Sequence, residues 1–99
     1  MQISDIINLL KEKRAAILDI AERHGARNVR IFGSVARGDF DEKSDLDILV
    51  DMESGRSLFD HASLLLNLEK LLGCKVDVVS EKGIKARIRE RVLREAQPL

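Results

Sequence analysis

Three aspartates in this 99-residue chain sit among apolar residues where solvated acids are out of place. Asp45 and Asp47 open the run Asp45–Met52 (DLDILVDM), and Asp77 interrupts Lys75–Ser80 (KVDVVS). Both runs alternate in the manner of strands. Leu46, Ile48 and Val50 then share one face and Asp45 and Asp47 share the other. Two aspartates two residues apart on a strand lie roughly 6–7 Å apart, and a paired neighbouring strand would bring Asp77 to roughly 5 Å from one of them. Carboxylates gathered this way either protonate or collect a cation. An all-oxygen set suits a hard ion such as Mg²⁺. Two such ions about 3.5–4 Å apart can clamp the attacking and leaving oxygens of a phosphoryl transfer. The plainer alternative is that strand-end aspartates only blunt a sheet edge.

A second group lies upstream. Gly33-Ser34 ends the strand-like stretch Asn28–Phe32 (NVRIF) and precedes a short helical turn. A glycine there allows close approach of the backbone to a ligand. The nearby N–H groups and the Ser34 hydroxyl form a candidate anion site. Alone, the pair is an ordinary turn with Ser34 as N-cap. Arg37 could neutralise phosphate charge or simply be an exposed loop arginine.

The two groups are joined in one stretch, GSVARGDFDEKSDLD: Gly-Ser, ten residues, then Asp-x-Asp. This resembles the signature of the DNA polymerase β-like nucleotidyltransferase superfamily. At this length it is most similar to the minimal nucleotidyltransferase family, the antitoxin half of HEPN–MNT toxin–antitoxin pairs. Arg37-Gly38 matches the frequent Arg-Gly of that family, and Asp77 matches its third carboxylate.

The resemblance implies the small nucleotidyltransferase fold and a set of roles. Asp45 and Asp47 would hold two Mg²⁺ ions that bind the triphosphate of ATP. Asp77 would help to bind the catalytic metal and activate the acceptor hydroxyl. Gly33, Ser34 and Arg37 would bind the nucleotide phosphates. The implied reaction is AMP transfer to a hydroxyl, commonly a tyrosine, of a HEPN-family toxin. Two other readings stay open: neutralisation of the toxin by complex formation without turnover, and transfer to a small molecule.

The remaining chain must position these residues. Residues 4–24 read as one helix, with Ser4 as N-cap and an apolar stripe of Ile3, Ile7, Leu10, Ile17 and Ala21. Gly25 suits the position that ends it. Leu58–Leu72 is a leucine-rich helix stopped by Gly73, and Ile84–Ala96 is a basic amphipathic helix. The order is helix, strand, short helix, strand, helix, strand, helix, an α/β (α+β) domain spanning residues 1–99 around a three-stranded mixed sheet. The helical connection of the last two strands suits a parallel crossover. The shorter irregular link between the first two allows an antiparallel pair.

Composition narrows the partners. Seventeen basic residues balance seventeen acidic ones, and there is no Trp or Tyr and only three Phe. Direct nucleic-acid binding is therefore not expected. The single Cys74 excludes an internal disulfide. His24 and His61 read as structural residues. The early charges and the lack of an apolar run of about 18 residues predict a cytoplasmic chain without membrane contact. A domain this small has little room for a separate substrate-binding part, so the acceptor should be held partly by another molecule. Phe59 and Leu66 lie opposite the main leucine face of the 58–72 helix, which leaves that helix open to homo- or hetero-oligomeric contacts.

Overall fold

Helix formation begins at Gln2, whose N–H donates to Asp5 Oδ2 at 2.9 Å, so the cap lies before Ser4. The computed structural model describes residues 1–99. The single helix expected over residues 4–24 is two helices, α1 (Ile3–Glu12) and α2 (Arg14–Arg23). Lys13, at φ −99° and ψ 8°, breaks them. No apolar side chain stands between Leu10 and Ala15, so packing does not hold the chain straight there. Ile6 and Leu10 of α1 and Ile17 and Ala21 of α2 are all buried in the one core. Ile6 is the fully buried member of the first turns. Ile7, expected in the stripe, is 38% exposed.

Strand β1 (Ala26–Phe32) runs into the five-residue helix α3 (Gly33–Arg37). A loop then leads to β2 (Leu46–Met52), and α4 (Leu58–Leu72) crosses over to β3 (Val76–Ser80). The Ser57 hydroxyl caps α4 by accepting from the Phe59 N–H at 3.2 Å. Gly73 ends it in the left-handed conformation at φ 68°. A 3₁₀ turn (Glu81–Gly83) leads to α5 (Ala86–Glu95) and a two-residue strand β4 (Gln97–Pro98).

The sheet has four strands in the order β3-β2-β1-β4, one more than expected from the sequence. β2 and β3 are parallel, joined by α4; β1 is antiparallel to β2 and to β4. β4 is too short for an alternation signal, and its Pro98 fits an edge strand because proline cannot donate to a ladder.

One face of the sheet carries the main core. Ile31, Ile48, Val50, Val76 and Val78 pack there against Ile6, Leu10, Ile17, Ala21, Leu64 and Leu68 of the helices. This burial supplies most of the driving force for folding. The opposite face carries the aspartates of β2 and β3, together with buried Leu49. At the far end of the sheet Arg30 is nearly buried. Its guanidinium donates to Asp51 Oδ1 at 2.7 Å, to Glu81 Oε1 at 3.0 Å and to the Asn28 carbonyl at 3.0 Å. It thereby ties β1 and β2 to the turn from which α5 departs. No helix is long and apolar enough to cross a membrane.

Candidate active site

Strand pairing decides where the aspartates lie. Asp47 and Asp77 are direct partners across the parallel β2–β3 ladder. Asp45 lies two residues before Asp47, just ahead of the strand, and is exposed like Asp77, whereas Asp47 is half-buried. None of the three forms an ion pair with a lysine, arginine or histidine.

This crowding of acid shows in Asp47. Its pKa is pushed up from 3.8 to about 6, first by burial and then by the charges of Asp77 and Asp45; Arg37 opposes the shift and Glu95 adds to it. The patch around Asp47 is therefore short of positive charge.

Gly33 and Ser34 stand against the same patch. Gly33 has φ +70°, a conformation that costs a residue with a Cβ about 1–2 kcal/mol. A Cβ there would also collide with the Asp47 carboxylate, its Cγ lying only 2.9 Å away. Glycine thus lets the backbone of α3 lie directly on the aspartate. Ser34 Oγ is buried and has no hydrogen-bond partner. A buried hydroxyl without a partner is unfavourable by about 1–3 kcal/mol, and such groups belong where a ligand completes them.

Arg37, at the end of α3, is half-exposed and tied down. It donates to Glu95 Oε1 at 2.8 Å and to Asp39 Oδ2 at 3.4 Å. Glu95 carries no signal in the sequence, where it reads as one of several glutamates on a basic helix. Only the packing of α5 beside α3 brings it to Arg37 and within electrostatic reach of Asp47.

The donor chemistry fits Mg²⁺: all oxygen, acidic and without internal counter-ions. No three His, Cys, Asp or Glu side chains are close enough to form a finished metal cluster. An ion here would draw part of its shell from water and phosphate, as Mg²⁺ usually does. The two histidines stand apart from this patch. His24 Nδ1 lies 2.8 Å from the Ile20 carbonyl, and His61 Nε2 lies 2.8 Å from the Val78 carbonyl.

The model of the nucleotidyltransferase domain family matches residues 9–99, a span that holds Gly33, Ser34 and all three aspartates. The chain belongs to the nucleotidyltransferase domain family. Its enzyme class is nucleotidyl transfer. The protein adenylyltransferase MntA of Thermococcus cleftensis is 46% identical over 77 residues, covering 78% of each chain. A Methanocaldococcus jannaschii protein assigned as a protein adenylyltransferase is 42% identical over 90 residues, covering 91% of this chain and 94% of that one. A solved structure described as a minimal nucleotidyltransferase superposes with a TM-score of 0.85 at 56% identity, covering 100% of this chain and 97% of the other. A toxin–antitoxin crystal structure with AMP-PNP superposes at 0.66 with 20% identity, covering 99% of this chain and 72% of the other, a likeness of fold.

Proposed function

We propose that this chain is a protein adenylyltransferase that moves AMP from ATP to a hydroxyl, a tyrosine, of a HEPN-family toxin and so acts as its antitoxin. The observation that carries the reading is the pairing of Asp47 with Asp77 beside the partnerless hydroxyl of Ser34. Carboxylates for cations and a hydroxyl for a phosphate then stand together. The names of the relatives and the AMP-PNP of the toxin–antitoxin structure point the same way.

In this reading Asp45, Asp47 and Asp77 hold Mg²⁺, which supplies positive charge to the triphosphate and to the leaving pyrophosphate. Ser34 Oγ donates to a phosphate oxygen, relieving its buried, unpaired state. Gly33 keeps the backbone close enough for that contact. Arg37 exchanges Glu95 for phosphate. Asp77 accepts the proton of the acceptor hydroxyl. The hydroxyl oxygen forms its bond to the α-phosphorus, the bond to the α–β bridging oxygen breaks, and pyrophosphate leaves with that electron pair. Positioning and charge placement account for the rate enhancement.

The test is transfer of label from α-labelled ATP, in the presence of Mg²⁺, to the product of the neighbouring gene. The native chain should label it, and Asp45→Ala combined with Asp47→Ala should not. Absence of label with the native chain, or undiminished label with the double variant, refutes the reading.

A second reading, neutralisation by binding alone, draws on α4. Leu58, Phe59 and Leu66 are 88%, 84% and 64% exposed, an apolar face suited to a protein partner. Rescue of toxin-expressing cells separates the two: the folded double variant rescues fully if binding suffices and fails if chemistry is required.

A further inference from the structure

Glu95 is the last residue of α5. A helix C-terminus is the end where the backbone dipole disfavours an anion, and α5 is otherwise mostly basic. The carboxylate is nevertheless kept from water: its side chain is 13% exposed, against 49% for Arg37. Arg37 is its one ion-pair and hydrogen-bond partner. Arg91, one turn back on α5, and Arg94, beside it, are exposed and make no ion pair. Glu95 therefore stands against its local preference and is neutralised only from α3.

We propose that Glu95 is a positioning residue that makes capture of the triphosphate wait for the metal, by holding Arg37 until a cation at the aspartates replaces the charge that Arg37 withdraws. The proposal rests on the nucleotidyl-transfer reading above, in which a phosphate oxygen takes the Arg37 guanidinium from Glu95. A metal-free triphosphate that did so would leave a largely buried carboxylate without a counter-ion. Losing one partner of such a pair is the costly way to break it. The stranded charge would face a patch that is already acidic, because Arg37 and Glu95 act on Asp47 in opposite senses. A nucleotide that arrives with Mg²⁺ brings positive charge to the same patch and offsets the loss. The aspartates repel a bare triphosphate by themselves; Glu95 adds a second penalty through Arg37.

The geometry suits a hold that can be released. Arg37 lies half in solvent, bonded to Glu95 at 2.8 Å and only loosely, at 3.4 Å, to Asp39. The member free to turn away is the arginine. Glu95 stays with α5, which packs beside α3. Glutamine at position 95 would keep the shape and could still accept a hydrogen bond from Arg37. Glu95→Gln therefore removes the charge without removing the contact.

Calorimetry of the full chain with ATP, once in excess EDTA and once in excess Mg²⁺, tests this without turnover. Glu95→Gln should tighten binding of metal-free ATP about tenfold or more, and change that of Mg²⁺-ATP by less than about threefold. The ratio of the two dissociation constants should therefore fall. Glu90→Gln removes an exposed, unpaired glutamate from the same helix and should change neither constant. Three outcomes overturn the proposal: equal changes in both constants after Glu95→Gln, no change in either, or an equal fall in the ratio after Glu90→Gln. So does metal-free ATP that binds to neither the native chain nor Glu95→Gln. A second arm needs no variant and follows the Arg37 Nε–H signal by NMR. In the native chain pyrophosphate should move it only when Mg²⁺ is present; an equal shift in EDTA would refute the assignment. A native chain that binds Mg²⁺-ATP but transfers no label would strike the proposed function instead and leave the binding ratio to stand on its own.

Discussion

Asp47→Asn is the most direct probe of charge crowding at the site. A pKa near 6 against the ordinary 3.8 means that the folded chain holds the Asp47 proton more tightly than the unfolded chain. Ionised Asp47 therefore destabilises the fold. The penalty is fully present above a pH of about 6, fades as the pH falls from about 6 towards 4, and is absent below that. At full burial such a shift corresponds to about 3 kcal/mol. Asp47 is only half-buried, and screening by solvent reduces this to about 1–2 kcal/mol. Asparagine keeps the shape and removes the charge. Asp47→Asn should then be more stable than the native chain by about 1–2 kcal/mol near pH 8, with the gain gone near pH 4. For a domain of this size each kcal/mol is worth roughly 4–8 °C in Tm. Urea and thermal melts at the two pH values, without Mg²⁺ or nucleotide, measure it. A variant no more stable than the native chain near pH 8, or equally favoured at both pH values, would refute the account of the carboxylate patch. The same variant should lose transfer activity, so stability and function would move in opposite directions.

Three further outcomes follow from the same geometry. Ser34→Ala removes a buried, partnerless hydroxyl, so stability in urea should hold or rise by up to about 1 kcal/mol, while calorimetry should show Mg²⁺-ATP binding about tenfold weaker. Gly33→Ala should cost at least about 2 kcal/mol in urea melts, from the positive φ and the collision with Asp47; a loss below about 1 kcal/mol would contradict that contact. Glu95→Gln removes a negative charge that raises the Asp47 pKa, so the carboxyl titration of Asp47, followed by carbon NMR, should move down from about 6.

Much of this molecule could be read from local signals. Ser57 before Leu58 and Gly73 after Leu72 bracket α4 at the residues where the helix starts and stops. Alternation in DLDILVDM placed Leu46, Ile48 and Val50 on the core face and turned Asp47 away from it. The length of the connections indicated the parallel and antiparallel pairings. Features that depend on distant contacts could not be read. Lys13 breaks the first helix because of how both halves dock, and the choice of Ile6 over Ile7 as the buried residue follows from that docking. β4 depends on pairing with β1, not on its two residues. At the site, the spacing picked out Asp45, Asp47, Gly33 and Ser34 as a group, but the pairing of Asp77 with Asp47 required the register. The tie between Arg37 and Glu95 required the packing of α5 on α3.

Arg30 ties β1 and β2 to the turn that precedes α5. Its guanidinium donates to Glu81, and Arg89 of α5 donates to the Glu81 carbonyl at 2.9 Å, so Glu81 is one of the points that hold the helix, with the Arg37–Glu95 bond at its other end. The same helix carries Glu95, whose bond to Arg37 and charge near Asp47 link it to the carboxylate patch. Change that loosens the bonds at Glu81 would therefore reach Arg37 and Asp47 through Glu95 at the far end of the helix. A lineage could in this way tune the carboxylate patch from the opposite end of the sheet without replacing an aspartate.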